Sequence, residues 1–164
     1  MTRALVWISE SSWHACVDLA RELLGPDAEV TLLHVAAGDA ERIAEGGPLT
    51  ERLGRHRRPP PPPGPPIREL GEAEARALLA TARERLGRDA RTLSLHGRVE
   101  RLVVQTAAGA DLLVLARDGH PKLGPGSLGQ RSRFVVDHAP CAVLLVWPED
   151  PPALETIHWP RHLR

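Results

Sequence analysis

The apolar positions of the chain fall into short runs separated by mixed, periodic stretches. Arg3 to Ile8 reads RALVWI, a run suited to a buried strand. Ser11 or Ser12 then offers a helix cap, and Ala15, Leu19 and Leu23 recur every fourth residue as one stripe. Gly25-Pro26 stops that helix, and EVTLLHV, Glu29 to Val35, predicts a second strand. Helical spacing returns from Leu70 to Leu86, with Ala75, Leu78, Ala82 and Leu86 on one face. Arg91 to Leu95 reads as a weak strand broken by Gly97, and Val99, Leu102, Val103 and Thr106 mark another helix that Gly109 ends. DLLVLA, Asp111 to Ala116, is nearly all apolar, as a parallel strand covered on both faces should be. A glycine-rich loop runs from Arg117 to Gly129, a short helix from Gln130 to Ala139, and a last strand, CAVLLVW, from Cys141 to Trp147.

Five strands alternating with four helices predict an α/β fold, an open doubly wound parallel sheet between two helical layers. The pattern fails in two places. Residues 38–68 are rich in Gly, Pro and Arg, with Pro59 to Pro63 in one run, which neither a helix nor an inner strand accepts. This reads as an exposed Arg/Pro-rich excursion with polyproline character and with a short helix near Asp39 to Glu45. Residues 149–164 read as a C-terminal tail with little periodicity, where Trp159 has either the domain or a second subunit to pack on. One domain over 1–148 plus that tail accounts for the length of 164 residues.

Charge narrows the picture. The 21 basic side chains balance the 21 acidic ones, so there is no global attraction to nucleic acid or to anionic membranes. No apolar run approaches the roughly 20 residues of a spanning helix, and no N-terminal run resembles a signal peptide, so a cytoplasmic protein is expected. Cys16 and Cys141 form no C-x-x-C pair and read as two buried thiols.

Ligands in such sheets bind at the carboxyl ends of the strands, which singles out Trp7 to Ser12, His34 to Gly38 and Ala116 to Ser132. The third segment carries Gly119, Gly124, Gly126 and Gly129 ahead of a helix start, with Arg117, Lys122, Arg131 and Arg133 nearby and Asp118 as the one acid. Glycines admit close backbone approach, and a helix N-terminus offers unpaired amides to an anion. A solvated surface loop accounts for the same residues. There is no G-x-x-x-x-G-K-[ST] and no G-x-G-x-x-G. His34 reads as a structural histidine beside the pocket. No serine elbow, catalytic dyad or metal motif is visible, so the residues by themselves do not indicate catalysis.

These segments together resemble the universal stress protein family, within the adenine nucleotide alpha-hydrolase-like fold. RALVWISESSWHACVDLARELL is similar to its first strand and helix and EVTLLHV to its second strand. DLLVLARDG and GQRSRFVVDHAPCAVLLVWP are similar to its C-terminal signature. The resemblance covers about residues 3–148 and implies a strand order of 3-2-1-4-5 and a homodimer formed through the last strand, 141–147. Nucleotide-binding members carry Gly-x2-Gly-x9-Gly-[Ser/Thr], which falls here on Ala116, Gly119, Gly129 and Gln130. The spacing is kept and two of the four residues depart, while Ser132 matches the family's second hydroxyl. The family aspartate that ends the first strand is Trp7 here, followed by Ile8, Ser9 and Ser12.

The implied site therefore joins Trp7, Ile8 and Ser9 to Val35 and Ala36, which would border an adenine. It is completed by Ala116, Arg117, Gly119, Gly129, Gln130, Arg131 and Ser132, of which the last two would meet phosphate. The implied ligand is ATP, ADP or AMP, with Mg2+ arriving alongside it and Asp118 as the nearest acid. The alternatives are a nucleotide-free homodimeric interaction module of the same fold with an unidentified protein partner, and a small hydrolase or transferase.

Overall fold

The computed structural model describes residues 1–38, 67–157 and 159. Residues 39–66 of the Arg/Pro-rich excursion, with the helix expected near 39–45, lie outside the described residues, as does the end of the tail, and residues 67–68 of the excursion already belong to a helix. The elements are β1 (Arg3–Trp7), α1 (Trp13–Leu23), β2 (Glu29–Ala37), α2 (Ile67–Leu86), β3 (Arg91–Gly97), α3 (Val99–Ala107), β4 (Leu112–Ala116), α4 (Gln130–His138) and β5 (Ala142–Val146). Single 3-10 turns span Pro125–Ser127 and Leu154–Thr156. Among the described residues no helix is long and apolar enough to cross a membrane.

The five strands form one parallel sheet in the order β3-β2-β1-β4-β5. The chain leaves the central strand β1 toward β2 and β3, then returns to its other side as β4. Connections therefore diverge at the carboxyl ends of β1 and β4, where a crevice must open.

Side-chain alternation splits the core in two. Val6, Ile8, Val30, Leu32, Val114 and Ala116 face α1 and α2, which contribute Trp13, Cys16, Val17, Ala20, Leu79, Ala82 and Leu86. Leu5, Trp7, Leu33, Val35, Leu113 and Leu115 face α3 and α4, which contribute Val99, Val103, Ala107 and Val135. The expected stripe of α1 is displaced. Its buried residues are Trp13, Cys16, Val17 and Ala20, and Leu23 is 58% exposed. A strict four-residue repeat drifts around a 3.6-residue helix, whereas spacings of three and four keep one face on the sheet. Neither Ser11 nor Ser12 caps α1 through its side chain; the turn closes through the backbone, with Ser12 N–H and Trp13 N–H both donating to Ser9 O.

Two arginines tie the far ends of the sheet. Arg88 donates to the carbonyls of Leu24, Gly25, Pro26 and Ala28 at 2.6–3.2 Å, fastening the α2–β3 turn to the α1–β2 turn. A fork of five donors suits such a cluster of acceptors, and an ammonium does not. Arg3 pairs with Asp111 through Nη2 to Oδ1 at 2.9 Å and its backbone amide to Oδ2 at 2.8 Å, pinning the starts of β1 and β4 together. The side-chain hydrogen bonds from Arg3, and then its amide, hold the Asp111 carboxyl at about 2. A depressed carboxyl contributes stability above its unfolded value of about 4 and loses it as pH falls through the folded value. Asp111→Asn is expected to flatten the acid limb of stability between about pH 4 and 2. Acid unfolding curves that superpose for the two proteins would show that the clamp contributes nothing.

The cysteines differ. Cys16 is fully buried, and burial pushes its thiol up to about 12. Cys141 is only partly buried, contrary to expectation, because it precedes an edge strand. The tail is more ordered than its composition suggests. Thr156 Oγ1 accepts from Leu123 N–H at 3.2 Å and donates to Ala153 O, so the last 3-10 turn sits against the glycine-rich loop. Trp159 is 52% exposed.

Candidate functional site

A cleft of about 390 Å³ opens at the carboxyl ends of β1, β2 and β4. The β1–α1 turn supplies Ser9, Glu10, Ser11 and Ser12 as well as the strand end, Trp7 and Ile8. β2 supplies His34, Val35 and Ala37, α3 begins at Val99, and the β4–α4 connection supplies Ala116, Asp118, Arg131 and Ser132. A larger and more open depression of about 810 Å³ lies between α2 and the edge strand β3. Two of its arginines are already engaged, Arg83 with Asp89 at 2.6 Å and Arg88 with the four carbonyls of the α1–β2 turn. It also lies away from the switch point, where ligands of open α/β sheets bind, which makes the smaller cleft the candidate site.

Of the site residues expected from sequence, Trp7, Ile8, Ser9, Val35, Ala116, Arg131 and Ser132 come together in this cleft. The other five do not line it. Ala36 lies one position off, paired with His96 of β3, and Ala37 takes its place at the cleft. Gln130 is the exposed first residue of α4. Arg117 turns away: its guanidinium lies 4.9 Å from the centre of the Trp147 ring and donates to Ser127 Oγ. An opposing edge strand followed by an aromatic residue gives that cation a face to rest on.

Gly119 and Gly129 are glycines for a reason other than ligand approach. A Cβ at Gly119 would stand 2.3 Å from Gly126 O and 2.6 Å from Ser127 C. The two arms of the loop are laced here, by Gly119 N–H to Ser127 O and His120 N–H to Gly126 O. A Cβ at Gly129 would meet the Asp118 carboxylate at 2.9 Å, and Gly129 N–H donates to Asp118 Oδ1 at 2.7 Å. Both openings are filled by the protein itself.

Glu10, Ser11, Ser12, His34, Ala37, Val99 and Asp118 complete the lining. The serines and Glu10 directly follow β1, which is the signal that could have placed them. Val99 carries no such signal, since only the packing of α3 brings its first residue to the cleft. His34 is 8% exposed, and its Nδ1 lies 3.0 Å from Ile8 O. A carbonyl only accepts, so Nδ1 carries the proton of this hydrogen bond. The same residue is thus a structural tie and a cleft wall.

The start of α4 carries the cleft's candidate anion-binding groups. Ser132, its third residue, is 2% exposed, lines the cleft, and its hydroxyl makes no hydrogen bond among the described residues. Native structures rarely leave a buried hydroxyl unpaired, because each such group costs about 1–3 kcal/mol. The amides of the first helical turn point the same way and have no intrahelical acceptor. Glu10 and Asp118 are the carboxylates of the lining. Asp118 Oδ1 is engaged by Gly129, and among the described residues no group of three or more His, Cys, Asp or Glu side chains stands ready for a metal ion. Magnesium fits here only as a companion of a ligand's own phosphates.

Comparison with known proteins agrees with this architecture. The model of the universal stress protein family matches residues 1–146. A Thermus aquaticus protein, described as a universal stress protein in the QAH/OAS sulfhydrylase 3' region, is 45% identical over 80 residues. These make up 48% of this chain and 54% of that protein. The match thus spans about half the length of that curated relative. Among solved structures, the hypothetical protein MJ0577 superposes with a TM-score of 0.66 at 17% identity, covering 91% of this chain and 97% of that one. A universal stress protein in complex with cAMP gives 0.59 at 18%, covering 90% and 98%. A family member from Arabidopsis thaliana with AMP bound gives 0.57 at 17%, covering 92% and 93%. At these identities the superpositions establish the fold, and the family model covers nearly nine tenths of the sequence: the chain belongs to the universal stress protein family.

Proposed function

We propose that this protein is a stress-response or signalling member of its family that binds an adenine nucleotide in the β1/β2/β4 cleft, without a catalytic role. The observation that carries the reading is the Ser132 hydroxyl, buried, unpartnered among the described residues and facing the cleft from the first turn of α4. A phosphate oxygen satisfies such a donor together with helix amides. Val35 and Ala37 line the apolar end, where an adenine ring would lie, and Trp7 forms a wall where acidic family members have a carboxylate. Relatives of the same fold with cAMP and with AMP support an adenine ligand. Trp7, Ala116 and Gln130 depart from the nucleotide-binding pattern, so a mononucleotide or cyclic nucleotide is as much a candidate as ATP.

A second reading, a homodimer that acts by contact, has its own observation. Among the described residues β5 pairs with β4 along one edge only, and its sequence AVLLV contains no charge and no proline. Edge strands of this kind invite pairing with a second copy.

Native mass spectrometry of gently purified protein, with and without ATP and AMP, tests both readings. A bound mass equal to one nucleotide per chain is expected, with affinity falling about tenfold in Ser132→Ala through the lost charge-assisted hydrogen bond. A chain that stays empty at millimolar nucleotide overturns the first reading, and a monomer under all conditions overturns the second.

A further inference from the structure

The anion seat at the start of α4 already holds a carboxylate. Asp118 Oδ1 accepts the Gly129 N–H at 2.7 Å, and the Asp118 carboxylate covers the side of Gly129 where a Cβ would stand. Gly129 is the N-cap of α4, so its amide belongs to the set of donors that a bound phosphate would use. Asp118 also lines the same cleft as Ser132. Its side chain is solvent-exposed, and among the described residues the Gly129 amide is the one hydrogen bond that holds it. A single hydrogen bond to an exposed group is readily exchanged for water, so the carboxylate can leave the seat.

We propose that Asp118 is a tethered anion that competes with the ligand's phosphate for the N-terminus of α4, and so sets which adenine ligands the cleft accepts. The proposal rests on the nucleotide-binding reading of the cleft. Two negative groups cannot share one set of helix amides without repulsion, which grows with the charge brought in. A ligand with little charge at that end leaves the carboxylate in place. A polyphosphate must displace it, or bring a divalent cation to neutralise the pair. Ser132 stays available in either case, because its hydroxyl is not bonded to Asp118 or to any other described residue. The cleft should therefore favour adenosine, AMP or a cyclic nucleotide over ATP in the absence of magnesium.

Asp118→Asn is the informative substitution. It removes the charge and keeps a carbonyl oxygen to accept the Gly129 amide, so the loop retains its tie. Asp118→Ala removes the competitor altogether. Titration calorimetry of the full chain with adenosine, AMP, ATP and inorganic pyrophosphate, without magnesium, reads the effect. The expected result is a gain in affinity that rises with ligand charge, smallest for adenosine and about tenfold for ATP, with the alanine variant at least equal to the asparagine one. Thermal melts of both variants check that the fold is kept.

Equal nucleotide affinities in all three proteins would overturn the role of Asp118 and leave the cleft reading intact. A loss of ATP affinity in Asp118→Asn without magnesium would overturn it too, by making the carboxylate a contributor to binding and not a competitor. Pyrophosphate binding that strengthens in the variants, with no adenine compound bound by any of them, would uphold the tethered anion and overturn the adenine reading. No binding of any probe by any of the three would overturn both.

Discussion

Trp7→Ala is expected to lower stability by about 3–5 kcal/mol, the range for truncating a buried aromatic residue. Trp7 is 8% exposed, ends the central strand, and pairs in register with Leu33 of β2. Its ring belongs to the core cluster of Leu5, Leu33, Val35, Val99 and Val103, and it also forms a wall of the cleft. Truncation therefore leaves a void between the sheet and α3 that the central strand cannot collapse to fill. In urea the midpoint should fall with an unchanged slope, and the melting temperature should drop by roughly 6–20 °C for a domain of this size. The position also explains a departure from the family pattern. The aspartate of nucleotide-binding members cannot be restored here by one substitution. Trp7→Asp would place a carboxylate among the apolar side chains of this cluster, and should be at least as destabilising as alanine. A loss below about 1 kcal/mol in Trp7→Ala would mean that the ring is a cleft lining and not part of the core.

Gly119→Ala is expected to weaken the proposed nucleotide binding more than tenfold while changing global stability modestly. The added methyl would stand 2.3 Å from Gly126 O and 2.8 Å from Leu128 N, and both are backbone atoms that no rotamer change can move. The two loop arms must part, breaking the Gly119–Ser127 and His120–Gly126 hydrogen bonds. Overpacking of this kind costs about 1–3 kcal/mol, drawn here from a local unit at the surface and not from the core. The loop positions Asp118 and the start of α4, so its loosening should weaken nucleotide binding more than tenfold, through misplacement of the donors. Hydrogen exchange across 118–129 should rise in the variant. Gly126→Ala is the control, because its Cβ would meet only His120 Cδ2 at 3.6 Å, an ordinary contact. Equal behaviour of the two variants would remove steric crowding as the reason for Gly119.

The elements of this protein were legible because each one writes its environment into the chain. RALVW, LLVLA and AVLLV are apolar without alternation because helices cover both faces of a parallel sheet. Gly25-Pro26, Gly97 and Pro140 stop the elements that precede them, and the resemblance supplied the strand order that the sheet shows. Even there the face of α1 was misread. Trp13 and Cys16 carry the core contact, and Leu23, the more apolar choice by eye, points to water. Helix phase depends on which side meets the sheet, and a short stripe leaves two adjacent phases open.

The cleft was legible as three segments and not as a set of side chains. Local sequence places Ser9, Val35 and Ser132 at strand ends and at a helix start, and every open α/β sheet puts its crevice there. Which side chains turn into that crevice depends on contacts between residues far apart in the chain. Arg117 is drawn away by Trp147 and Ser127, 30 and 10 residues distant, and Gly119 is closed by Gly126. Asp118 is drawn in by Gly129, and His34 is held by Ile8 across two strands. Hydrophobic periodicity encodes burial, which each residue records in its own identity. The direction of a polar side chain is set by the partner it finds, and the partner is chosen only when the chain has folded.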